Sequence, residues 1–245
     1  MLGNETVGNT IEEGDEMTDI AANLEAVRER IRNARIRSGR VDHVQLVAVT
    51  KFHSVAAVQE AARLGVTVVG ENRVQEAIQK QAEYTGTPIS WHLIGHLQRN
   101  KSAQAVRHFD LIESVDSSRI LEAIEKQAEK IDKMQDILLQ FNIAEEPQKY
   151  GLKLSEYEDI LTAVEGASHI RLRGLMCMAP LVENPEEVRP VFRVAYNVFD
   201  DLRRRYGEED IRYLSMGMSN DMEVAIEEGA NLVRVGTAIF GSREQ

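Results

Sequence analysis

The amino-acid sequence predicts an α/β protein: a single closed parallel (β/α)8 barrel of the TIM type, with an extra N-terminal helix ahead of the first strand. Eight short apolar runs alternate with stretches of helical period over most of the 245 residues, and such alternation calls for parallel strands joined by helical crossovers. A doubly wound open sheet is the competing arrangement, but it carries a glycine fingerprint directly after its first strand. Here the chain reads Lys51-Phe52-His53-Ser54 at that point, without glycine. Polar residues gather at the ends of the runs, where barrels keep their chemistry.

A helix opens near Thr18 or Asp19, because Ile20, Leu24, Val27 and Ile31 recur at spacings of 4, 3 and 4 and so share one face. Gly39 supplies its left-handed stop. Strands are expected at 44–50, 66–70, 89–94, 110–113, 135–143, 170–178, 211–215 and 231–235. Helices are expected near 54–64, 71–84, 98–107, 117–130, 155–165, 186–206 and 219–228, with a short last one from Thr237. The run Val47-Ala48-Val49 is apolar on both faces, as a strand buried within a barrel must be, and Ser54 is placed to cap the helix that follows. No Pro/Gly/Ser-rich linker or low-complexity insert divides residues 17–245, which read as one barrel domain.

A hydrophobic content of 43% supplies a sizeable core, and a net charge of −11 argues against a nucleic-acid partner. Residues 1–16 hold Glu5, Glu12, Glu13, Asp15 and Glu16 with no Lys or Arg, and are expected to form a disordered acidic tail. That segment has neither the basic nor the apolar region of a secretory signal. No apolar run approaches the roughly 18 residues of a membrane span. Cys177 is the only cysteine, so no intrachain disulfide forms, which suits a cytoplasmic protein. It lies in the apolar run Leu175-Met176-Cys177-Met178-Ala179 and reads as a buried, inert thiol.

Lys51 closes the first strand, which puts its amine at the catalytic face of a barrel. A partly buried lysine favours its neutral, nucleophilic form and forms a Schiff base with an aldehyde. The seventh run ends in Ser215-Met216-Gly217-Met218-Ser219-Asn220-Asp221 and the eighth in Arg234-Val235-Gly236-Thr237. Gly217 and Gly236 let the backbone approach a ligand, Ser219 and Thr237 add hydroxyls, and the loops after strands 7 and 8 of barrels frequently hold phosphate. Arg234 shares the strand face of Gly236; pointing inward, it sets a cation beneath the mouth. An aldehyde and a phosphate in one small molecule describe pyridoxal 5′-phosphate (PLP). His92 and His96 lack the Glu and the helix of a zincin, so no metal site is expected. Arg99 and Lys101 read as a solvated face rather than a second anion site, no spacing pairs Glu71 with Glu113, and nothing suggests a Ser-His-Asp triad or another catalytic set.

The chain resembles the family of pyridoxal phosphate homeostasis proteins over residues 20–243. The likeness runs through Val49-Thr50-Lys51, Gly70-Glu71-Asn72, the stretch from Trp91 to Lys101, Gly174-Leu175-Met176, Leu214 to Ser219, and Arg234 to Gly241. It implies that Lys51 carries PLP as a covalent aldimine and that Ser215, Ser219, Gly236 and Thr237 surround the phosphate. Arg234 is then at the pyridine nitrogen or the phosphate, and Asn72 and His92 line the ring and the mouth. The implied fold is similar to the barrel half of alanine racemase without that enzyme's second domain. The implied role is non-catalytic: a carrier and buffer in vitamin B6 homeostasis that hands PLP to apoenzymes, expected to be a monomer. The alternative is a PLP-dependent amino-acid racemase, which needs a second acid/base opposite Lys51 that nothing in the sequence places.

Overall fold

The computed structural model describes residues 19–39 and 43–241; the acidic segment 1–16 lies outside them. Helix α1 (Ile20–Ser38) starts where Asp19 accepts a hydrogen bond from the Ala22 amide and stops where Gly39 turns to φ 67°. Its face of Leu24, Val27, Ile31 and Ala34 is buried, each larger side chain contributing about 2 kcal/mol. That face packs on α8 (Met222–Glu227) and α9 (Thr237–Phe240).

Eight parallel strands close into a barrel in sequence order. They are β1 (Gln45–Val49), β2 (Val68–Glu71), β3 (Ser90–Leu93), β4 (Leu111–Val115), β5 (Gln135–Phe141), β6 (Ile170–Cys177), β7 (Tyr213–Ser215) and β8 (Leu232–Val235). Between them run α2 (Val55–Arg63), α3 (Val74–Glu83), α4 (Ser102–His108), α5 (Ser118–Glu129), α6 (Tyr157–Glu165) and α7 (Arg189–Tyr206). Every expected strand is present, and so are the leading and closing helices. Strands β1 and β8 pair over four residues, from Gln45 opposite Leu232 to Ala48 opposite Val235, which closes the barrel beside Lys51.

Side-chain alternation divides the core in two. Ala48, Val69, Leu93, Ile112, Leu139 and Val233 face the helices in the main cluster. Val47, Val68, Leu111, Leu138, Met176 and Leu232 form a separate cluster that plugs the lower barrel interior. Two residues further along the same strands stand Val49, Gly70, Glu113, Gln140, Met178 and Arg234, so the interior turns polar toward the C-terminal ends. Among the described residues no helix is long and apolar enough to cross a membrane.

Candidate functional site

A cavity of about 760 Å³ opens at the C-terminal ends of the strands, within the size range of small-molecule sites. Its floor is Arg234, 3% exposed and pointing inward from β8. The guanidinium donates to Ser215 Oγ at 2.5 Å and to the Cys177 carbonyl at 3.0 Å. Ser215 in turn donates to Glu113 Oε2, and Glu113 Oε1 lies 2.7 Å from His92 Nδ1. Burial pushes the Glu113 carboxyl up, but the hydrogen bond and charge of His92, the Arg234 charge and the Ser215 hydroxyl more than offset it, so its pKa lies below the ordinary value. Because an ionised Glu113 only accepts, Nδ1 of His92 carries the proton. Burial lowers the Arg234 pKa, with Glu113 acting the other way; an arginine stays charged regardless. One buried carboxylate thus fixes the orientation of the cation beneath the mouth.

One wall of the cavity is the turn after β1. Thr50 is fully buried, Lys51 half-buried, and both Lys51 and His53 line the cavity. The Ser54 hydroxyl accepts from the Ala57 amide and starts α2, as its sequence position predicts. The facing wall comes from the loops after β7 and β8, where Ser219, Gly236 and Thr237 all line the cavity. Gly217 adopts φ 92°, and a Cβ there would sit 2.6 Å from the Ala225 Cβ. A Cβ on Gly236 would come within 3.2 Å of the Val49 carbonyl oxygen, so this glycine lets the β8 loop close against the strand that carries Lys51.

Six of the eight expected residues surround one space: Lys51, Asn72, Ser219, Arg234, Gly236 and Thr237. His92 and Ser215 do not line it. His92 is 6% exposed and is drawn into the barrel interior by Glu113, so it lies beneath the mouth of the cavity. Ser215 is fully buried in the same chain of bonds and holds Arg234 instead of facing the cavity. Ser219 is not a helix cap either, because α8 begins only at Met222; its hydroxyl accepts from the Ala238 amide at 3.3 Å and ties the β7 loop to the β8 loop. Helices α8 and α9 span only six and four residues, so direct N–H and hydroxyl donors matter more on this wall than a helix dipole.

Several lining residues were not assigned to the ligand site by the sequence. Gln140 lines the cavity from β5, while Asn142, just past the strand, braces its own loop by donating to the Glu146 and Lys149 carbonyls. The signal was a polar residue inside an apolar run. His96 reaches the rim with Nδ1 2.7 Å from Asp116 and its ring stacked on Tyr150 at 3.7 Å. Arg30, on α1, donates to the Ser219 carbonyl at 2.8 Å and pairs with Glu223, so the extra helix braces the β7 loop. Arg99 borders a separate groove of about 440 Å³ together with Arg119, Lys126 and Lys130. The Cys177 thiol is fully buried and pushed up to about 12 by desolvation, as suits an inert sulfur.

Fold and cavity together define a (β/α)8 barrel with a lysine and a hydroxyl- and glycine-lined cradle at its mouth, and residues 22–244 match the model of the alanine racemase N-terminal domain. The pyridoxal phosphate homeostasis protein of Escherichia coli is 40% identical over 235 residues, covering 93% of this chain and 98% of the relative. That of Aquifex aeolicus is 38% identical over 222 residues, covering 90% and 97%. The structure of PipY from Synechococcus elongatus, solved with PLP bound, superposes with a TM-score of 0.79 at 37% identity and covers 91% of this chain and 100% of PipY. The chain belongs to the pyridoxal phosphate homeostasis protein family.

Proposed function

We propose that this protein holds PLP in the barrel mouth through the Lys51 amine as a Schiff base, and acts as a carrier and buffer that passes the cofactor to apoenzymes. The observation that carries the reading is the placement of Lys51 across one cavity from Ser219, Gly236 and Thr237, with Arg234 beneath. An amine on one wall and a phosphate cradle on the other match the two ends of the cofactor, and two close-packed glycines shape the space between. PLP bound there supplies an aldehyde that is sequestered and an aromatic ring able to act as an electron sink.

The chain's own residues set how that ring behaves. Arg234 is fixed by Ser215, Cys177 and Glu113 and presents a permanent cation from the floor. Were it to face the pyridine nitrogen and not the phosphate, it would keep that nitrogen unprotonated and weaken the electron sink, which would favour storage over turnover. Asn72 and His96 orient the ligand from the sides, and His92 and Ser215 act through Glu113 and Arg234. This reading takes the barrel as a cytoplasmic monomer that needs no second domain. The alternative, an amino-acid racemase, rests on the likeness to the alanine racemase domain. Mixing the PLP-loaded protein with an apo PLP-dependent enzyme decides between them. The carrier reading expects activity to return faster than release into solution allows; racemisation of an amino acid by the purified protein at an ordinary enzymatic rate, dependent on Lys51, overturns it.

A further inference from the structure

A second lysine lies behind the first. Lys80, on α3, is 7% exposed, and buried lysines are rare unless every donor is used. Its Nζ donates to the Thr50 carbonyl at 2.6 Å, to Glu71 Oε1 at 2.7 Å and to Glu76 Oε1 at 2.7 Å. Glu76 Oε1 also accepts from the Phe52 amide at 2.5 Å, and Glu71 Oε1 from the Thr50 hydroxyl at 2.6 Å. Thr50 and Phe52 are the two neighbours of Lys51. Phe52 sits at φ 67°, a conformation unfavourable for an aromatic residue, and the turn keeps it. The fully buried Glu71 has its pKa raised by desolvation, against the opposing bonds from Lys80 and Thr50, and its Oε2 has no hydrogen-bond partner among the described residues. A cluster this costly to bury, converging on the peptide groups at either side of one residue, fixes where that residue's side chain starts.

We propose that Lys80 is a positioning residue for Lys51: by holding the Thr50 carbonyl directly and the Phe52 amide through Glu76, it sets the direction from which the Lys51 amine enters the cavity. The proposal rests on the reading of Lys51 as the attachment point of PLP. Lys80 lies behind the turn and lines no part of the cavity, so it governs capture of the aldehyde while leaving the non-covalent fit of the ligand alone.

The test compares the wild type with Lys80→Met/Glu71→Gln, which removes both buried charges at once so that the chain still folds, and with Glu71→Gln alone, which leaves the Thr50 and Glu76 bonds of Lys80 in place. Two quantities are read: the rate of covalent PLP capture by absorbance, and the affinity for pyridoxine 5′-phosphate, which has the phosphate and ring but no aldehyde. The double variant is expected to capture PLP about tenfold or more slowly, with affinity for pyridoxine phosphate within about twofold of wild type, while Glu71→Gln captures at the wild-type rate. Capture at the wild-type rate in the double variant overturns the proposal. So does a parallel fall in capture and in pyridoxine phosphate affinity, which marks a purely structural role. Lys51→Ala separates the two claims: if it still holds PLP covalently, the reading of Lys51 falls and the positioning role with it; if it does not, failure of the double variant to slow capture strikes the positioning role alone.

Discussion

At the scale of single residues, Glu113 organises the floor of the site. It takes bonds from His92 and Ser215 and faces Arg234, all inside the barrel. Glu113→Ala leaves the buried guanidinium without its anion and is expected to cost about 3–5 kcal/mol, measurable by urea unfolding. The pH dependence has a definite sign. The folded pKa of Glu113 lies below its unfolded value, about 4.3 for a free Glu, so the folded state binds fewer protons in that window. The stability that Glu113 contributes is complete above about pH 4.3 and is lost as pH falls through the lower, folded value. Unfolding midpoints followed from neutral to acid pH are expected to fall less steeply in Glu113→Gln than in the wild type. Gly217→Ala places a Cβ 2.6 Å from Ala225 at φ 92° and is expected to destabilise by about 1–3 kcal/mol while loosening the β7 loop that walls the cavity. That Arg234 shares a strand face with Gly236 was legible from parity alone, but that this face points inward is set by the closed barrel. The true positions of His92 and Ser215 were not, because Glu113 lies 21 and 102 residues away from them in sequence, and no local pattern links the three.

At the scale of elements, all eight strands were legible because a barrel strand is apolar on its helix-facing side and mixed on the other, bounded by polar ends. The start of α8 was not. Asp221 Oδ1 accepts from the Met218 amide at 2.6 Å, and this turn delays the helix to Met222 and frees the Ser219 hydroxyl for the Ala238 amide. Helix α1 was visible from its apolar spacing, but its bearing on the site was hidden, since only the folded chain sets Arg30 against the β7 loop. Arg30→Ala is expected to change stability little, because its ion pair with Glu223 is partly exposed. It is expected to weaken phosphate-ligand affinity by about tenfold or less, the worth of one charge-assisted hydrogen bond acting through Ser219. Titration with pyridoxine 5′-phosphate reads this directly.

At the scale of the whole molecule, the site draws on the first strand, the last two strands and the N-terminal helix, so ligand binding bridges the part of the barrel where the chain closes on itself. Strands β7 and β8 share a single register pair, Ser215 with Leu232, beside the four-residue closure of β1 with β8. A ligand held by Lys51 and by the loops after β7 and β8 therefore spans it. At a free concentration of about one hundred times Kd, PLP is expected to add about 2.7 kcal/mol to stability, seen as a raised Tm that Lys51→Ala largely loses. The central claim is tested most directly by borohydride reduction of the PLP-treated protein followed by peptide mass analysis. One pyridoxyl group on the peptide that contains Lys51, absent from Lys51→Ala, is the result expected here; equal labelling of Lys51→Ala, or labelling of the wild type at another lysine, would contradict it.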